Sequence, residues 1–236
     1  MLHNIIAQIQ VGTDSIAQPI TAAAVAAPAP ALSILDLIVK GGFIMIPIVL
    51  LSVLLVYLFV TRLLVVNKAL KTDDQFVPMI KNYLQQGNID TAKTLAQSNT
   101  TPVGIVLYKG IVRLGKPVKE IEMSMENAAK VELAKVETNM GYLSTIAAIA
   151  PMFGFLGTIF GVIKIFYNIA LADNISIGLI AGGLYEKMIT SAAGLVVGIM
   201  AFVAHHLIVA RIDKLIAKIE LASAEFLDVI TEPAGK

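Results

Sequence analysis

Three long apolar stretches divide the chain, and its charged residues are gathered between and after them. Phe43–Thr61 gives 19 uncharged residues closed by Arg62, enough for one helix to cross a hydrocarbon core of about 30 Å. Thr138–Ile163 gives 26 more, and the apolar pattern resumes past Lys164 to Ala172. Asn174–Ala210 is broken only by Glu186 and Lys187 before His205 and His206. Its 37 residues would reach about 55 Å as a helix, so it must project beyond a bilayer. Pro47 and Pro151 fall within spans, where neighbouring helices can satisfy the freed carbonyls. The pattern predicts an all-α integral membrane protein with three transmembrane helices, two of which extend far to one side, and a separate helical domain. The divisions are an N-terminal extension 1–39, a first span 40–62, a helical domain 63–137, a second span 138–170, a short loop 171–177, a third span 178–210 and a C-terminal helix 211–236.

The region between the first two spans reads as helical. Thr72 with Gln75 suits a capping box, Gly87–Asn88 a turn, and Thr101–Pro102 an N-cap followed by proline at the first helical position. Gly115–Lys116–Pro117 breaks the next helix. From Val118 onward charged and apolar residues alternate at helical spacing with no stop signal before the second span, which predicts one continuous rod. In the tail, Ile208, Ile212, Leu215, Ile219, Ala222, Phe226 and Val229 recur at alternating spacings of four and three. Such a heptad seam suits either packing on the chain's own helices or contact with a neighbouring subunit.

Composition agrees with a membrane protein. The chain is 57% hydrophobic and 15% charged, with mean hydropathy +0.80, whereas soluble domains carry about a quarter charged residues. A net charge of +1 gives no field to gather nucleic acid or acidic substrates. The lack of cysteine excludes disulfides, thiolate metal sites and cysteine nucleophiles. No nucleophile–base set, metal cluster or phosphate-binding loop is apparent, so neither an enzyme nor a cofactor is expected. Tryptophan is absent too, which leaves interfacial anchoring to Tyr57, Tyr142, Tyr167, Tyr185 and the lysines.

Charge placement fixes the expected orientation. Residues Arg62–Glu137 hold eleven of the eighteen basic residues and the tail after His206 holds four, whereas Lys40 alone precedes the first span. By the positive-inside rule the domain and C-terminus face the cytoplasm, while the N-terminus and the loop near Asp173 face outward. Residues Met1–Val39 contain no Lys or Arg, and Gln8, Gln10, Asp14 and Gln18 interrupt any apolar run. They read as a retained polar extension with an Ala/Pro linker at Thr21–Ala31, unlike a secretory signal.

Within the membrane, Gly157–Gly161, Gly178–Gly182 and Gly194–Gly198 form three G-x-x-x-G patterns, which let helix backbones approach closely. Counting from a boundary near Ile169 and Gly178 puts Thr158 about 16 Å deep and Thr190 and Ser191 about 18–20 Å deep. Glu186 falls about 12 Å deep by the same count. An ionised carboxylate there costs on the order of 3 kcal/mol unless paired, protonated or hydrated, which marks an ion or proton pathway. Alternatively Glu186 pairs with Lys187 or Lys164, and the hydroxyls simply bond carbonyls one turn back. His205 and His206, at the inner end of the third span, read as interfacial residues.

The segment LSTIAAIAPMFGFLGTIFGVIKIF, Leu143–Phe166, resembles the second span of the ExbB/TolQ/MotA family of proton-channel subunits, with its A-P-x-x-G-x-L-G-T core. Lys40–Leu55 is similar to the family's first span, and Gly182–Ala204 to its third, including the acidic residue and Ala192–Leu195. The segment Gly87–Gly110 also fits the family's cytoplasmic domain, and three spans favour the ExbB/TolQ branch. By this resemblance Thr158 falls on the family's pore threonine, Glu186 on its third-span glutamate, and Ser191, beside Thr190, on the second pore threonine. Met200 replaces a usual proline, and Lys164 and Lys187 depart from the pattern. The resemblance implies a bacterial inner-membrane homopentamer around a central pore. That pore holds single helices of an ExbD-like partner, whose aspartate carries the proton, and the assembly energises a TonB-like periplasm-spanning protein. A TolQ-like or gliding-type motor is the alternative within the family. A structural scaffold or a secondary transporter is the alternative outside it, although the internal repeats of a transporter are lacking.

Overall fold

The computed structural model describes residues 41–171 and 177–231. The N-terminal extension 1–39 and most of the loop 171–177 therefore lie outside the described residues. Helices account for nearly all of the rest. They are α1 (Met45–Leu70), α2 (Phe76–Gln85), α3 (Ile89–Ser98), α4 (Pro102–Ile111), α5 (Val118–Glu137), α6 (Met140–Leu171) and α7 (Ile177–Thr231). Three of them, α1, α6 and α7, are long and apolar enough to cross a membrane. Their outward faces carry large exposed apolar side chains, among them Leu50, Val53, Met152, Phe155, Phe160 and Val196. Lipid or other helices must cover such faces, and the chain is an all-α membrane protein.

Helix α7 organises the molecule. Its 55 residues span about 80 Å, far more than a bilayer. Its first half packs along α6 and α1, and its second half runs through the helical domain against α2, α4 and α5. The seam residues Ile208, Ile212, Leu215, Ile219, Ala222 and Phe226 are all buried within the chain. Of the two readings of the seam, packing on the chain's own helices is the one realised. Its partners include Phe76 and Ile80 of α2, Val103 and Leu107 of α4, and Met125 of α5, all buried. Gly110 brings α4 close, because a Cβ there would lie 2.7 Å from Met125 Sδ and 2.8 Å from Phe226 Cε1.

The local signals of the domain hold in part. Asn88 caps α3 by accepting the Thr91 amide, and Gly87 adopts φ +74° in the turn before it. Thr101 accepts the Gly104 amide at 3.4 Å, with Pro102 next in line, as expected. Gly115 has φ +91° and Pro117 immediately precedes α5. The expected Thr72–Gln75 capping box does not form. Thr72 instead donates to Thr101 Oγ1 at 3.1 Å, and the Asp73 carboxylate accepts the Gln75 amide at 3.1 Å. Asp73, one residue nearer the helix, offers a charged acceptor that a hydroxyl does not match.

The continuous rod is also corrected. Helix α5 ends at Glu137 and α6 begins at Met140, with Asn139 between them at φ +65°. Asparagine is among the few non-glycine residues that adopt this left-handed conformation readily. Thr138 steadies the break by donating its hydroxyl to the Ala134 carbonyl at 2.9 Å, satisfying a group left open at the helix end. The second projection from the membrane is thus α5 and α6 in two pieces, and α7 alone is unbroken.

Candidate functional site

Helices α6 and α7 form an antiparallel hairpin whose contact is built from glycine. A Cβ on Gly194 would lie 2.6 Å from the Ala150 carbonyl oxygen and 2.8 Å from Gly154 Cα, so backbone meets backbone there. Gly198 faces Pro151 and Ala147, and Gly154 faces Ser191 and Gly194. Gly157 receives the Thr190 methyl, with 2.8 Å from its would-be Cβ to Thr190 Cγ2. Gly161 holds the side-chain stem of Lys187. Two of the three G-x-x-x-G patterns are therefore used inside one subunit. Gly178 and Gly182 meet nothing within contact distance of a Cβ, and Gly183 instead faces Ile165. Gly154 completes the interface but escapes the sequence pattern, because it precedes Gly157 by three residues.

Helix α1 runs parallel to α7, and the pairings fix its level. The wholly buried Thr190 donates its hydroxyl to the Gly41 carbonyl at 3.0 Å and lies 3.4 Å from the Glu186 carbonyl oxygen. At the other end the Arg211 guanidinium bonds the Asn67 side-chain oxygen. Counted from Ile177, Thr190 is about 20 Å down α7, and α1 begins only there. Beyond that level, among the described residues, the hairpin stands without α1. The uncovered stretch carries Glu186 and Lys164, both exposed.

The predicted site residues separate into two sets. Thr190 and Lys187 turn inward, toward α1 and α6. Thr158, Ser191 and Glu186 keep part of their surface on the outside of the subunit. Thr158 sits at the level of Thr190, since its neighbour Gly157 packs on Thr190, but Thr158 is only half-buried. Its hydroxyl donates to the Phe155 carbonyl at 2.6 Å, one turn back. Among the described residues three ion pairs form, and all lie in the helical domain and tail: Lys130–Glu126, Lys135–Glu132 and Lys218–Asp74. Neither Lys164 nor Lys187 lies within 4.0 Å of the Glu186 carboxylate. Lys187 lays its stem over Gly161 and carries its ammonium to Gly42. His206 faces its own Phe202 carbonyl at 2.9 Å and stacks on the Phe202 ring.

Comparison with known proteins bears on this arrangement. Residues 98–221 match the MotA/TolQ/ExbB proton channel family, a segment that covers just over half of the chain and includes every residue of the hairpin site. The chain belongs to that family. It is similar to a putative biopolymer transport protein, ExbB-like 1, of Synechocystis sp., with 29% identity over 180 residues, 75% of this chain and 70% of that one. It is 28% identical over 194 residues to a putative ExbB homolog of Methanothermobacter thermautotrophicus, covering 80% of this chain and 67% of the homolog. Similarity to the Tol-Pal system protein TolQ of Pseudomonas aeruginosa is 27% over 110 residues, about half of each chain. Among the described residues no basic side chain pairs with the Glu186 carboxylate, which is exposed on the hairpin within the matched segment.

Proposed function

We propose that this chain is the multi-span subunit of a proton-motive-force-driven motor of the bacterial inner membrane. Five copies surround a pore, and Thr158, Ser191 and Glu186 line the route of the proton. A single-span ExbD-like partner with an intramembrane aspartate completes the route, and the assembly drives a TonB-like periplasm-spanning protein. The observation that carries this reading is Glu186: an acid on an apolar hairpin, exposed on one subunit, with neither Lys164 nor Lys187 paired to it. Left facing lipid, its charge would cost several kcal/mol, so the carboxylate calls for a neighbouring helix or water around it. Thr190, expected on the route, is better explained as an internal tether, since its hydroxyl is already engaged with Gly41. The helical domain faces the cytoplasm in this reading, in keeping with eleven basic residues between Arg62 and Glu137.

The similarity to TolQ supports a second reading, in which the same motor serves envelope maintenance rather than outer-membrane transport. One experiment tests the motor and separates the two uses. The chain is co-expressed with an ExbD-like single-span protein, and Thr158→Val and Glu186→Gln are compared for assembly and for energy-dependent activity in cells. Both variants should assemble normally and lose activity, with import failing under the TonB reading and envelope integrity failing under the TolQ reading. Full activity in both variants would remove the hairpin from the proton route.

A further inference from the structure

We infer that Lys187, Gly161, Gly42 and Thr190 form a latch that pins the start of α1 onto the hairpin and so fixes the direction in which Glu186 and Ser191 point. The inference rests on the reading of those two residues as part of the proton route. Its parts come from two helices, α6 and α7, and from the turn that precedes α1. The Lys187 stem, from Cγ to Cε, occupies the space a Cβ on Gly161 would take, with Cε 2.6 Å from that position. The Lys187 ammonium ends 3.6 Å from where a Cβ on Gly42 would stand. Gly42 adopts φ +74°, a conformation glycine reaches without strain. One residue earlier, the Gly41 carbonyl accepts the Thr190 hydroxyl at 3.0 Å, and the Thr190 methyl fills the notch above Gly157.

The spacing gives the latch its consequence. On α7, residues 186 and 191 flank latch residues 187 and 190, about 70° to either side of the face that those two present, so fixing that face fixes the direction of both flanks. The latch also accounts for an ammonium at this level of an apolar hairpin. Its methylenes pack in a glycine notch while its charge reaches the turn where α1 begins, the way a long basic side chain lays its stem on apolar surface and carries its charge beyond it. Lys187 is accordingly a positioning residue and not the counter-ion of Glu186.

Gly161→Ala provides the test, because the added methyl evicts the lysine stem without touching Glu186. The chain has no native cysteine, so paired nitroxides can be placed cleanly at Phe43→Cys on the approach to α1 and Glu186→Cys on α7. Labelled chain is diluted with unlabelled chain so that distances within one subunit dominate. A control pair at Leu64→Cys and Leu207→Cys reports the domain-side end of the same two helices. The latch predicts one narrow distance for the first pair, which shifts and broadens in Gly161→Ala and equally in Lys187→Ala. The double variant should be no worse than either single one, and the control pair should stay unchanged. If Gly161→Ala does not accumulate, Lys187→Ala, which introduces no clash, carries the comparison alone. A first-pair distance indifferent to the loss of Lys187, effects that add in the double variant, or equal disturbance of the control pair would each overturn the latch. Because the distances are read without proton movement, the latch can stand while Glu186→Gln shows the route reading wrong, and the reverse.

Discussion

Two threonines at one level of the hairpin have different surroundings and should respond differently to the same substitution. The Thr190 hydroxyl is buried and satisfies the Gly41 carbonyl. Thr190→Val leaves that carbonyl without its partner, and a loss of about 1–3 kcal/mol is expected in thermal unfolding of the detergent-solubilised chain. The Thr158 hydroxyl is bonded only to a carbonyl of its own helix. Thr158→Val should change stability by no more than about 0.5 kcal/mol, yet abolish energised activity. Equal stability losses in the two variants would contradict the assignment of one as tether and the other as route. Gly194 marks a third kind of position. Its neighbours are backbone atoms at 2.6 and 2.8 Å from a would-be Cβ, which cannot move aside as a lysine stem can. Gly194→Ala should therefore lower stability by about 1–3 kcal/mol, and more than Gly161→Ala does. Residue types in the sequence pointed to Thr158, Glu186, Thr190 and Ser191, but that the Thr190 hydroxyl turns inward was not legible there. That depends on the rotational setting of α7 against α6 and against the turn before α1, whose Gly41 carbonyl lies far away in the sequence.

At the scale of elements, the spans and the domain helices were legible because lengths of uncharged sequence and proline or glycine stops act locally. The break between α5 and α6 was missed because Thr138–Asn139 carries neither glycine nor proline. Only the tolerance of asparagine for positive φ hinted at it. Asn139→Gly should preserve the junction, whereas Asn139→Val should cost about 1–3 kcal/mol by forcing a β-branched residue into a left-handed conformation. Circular dichroism melts of the two variants check this, and equal melting points would contradict it. The tail seam was legible as a seam, but its partner was not, since a heptad pattern does not say which helix fills it. With Leu215 fully buried against the chain's own domain, Leu215→Ala should destabilise that domain by about 2–5 kcal/mol. Such a loss should appear at any protein concentration, whereas a seam between subunits would show a loss that depends on dilution.

In the described residues a membrane hairpin flanked by α1 is continued into a helical domain by one unbroken helix, α7, which carries both Glu186 and the seam residue Phe226. Glu186, paired with neither Lys164 nor Lys187, sits where α1 no longer covers the hairpin, and the proposed latch beneath it would set the direction it faces. The central claim is that this acid takes part in proton transfer once copies of the chain and a single-span partner enclose it. Proton uptake into proteoliposomes holding the co-expressed complex, driven by an imposed membrane potential and read with an internal pH dye, tests it directly. The unsubstituted complex should show uptake, and Glu186→Gln only the level of empty liposomes, with the same subunit composition in native mass spectrometry. Uptake by Glu186→Gln equal to that of the unsubstituted complex would contradict it.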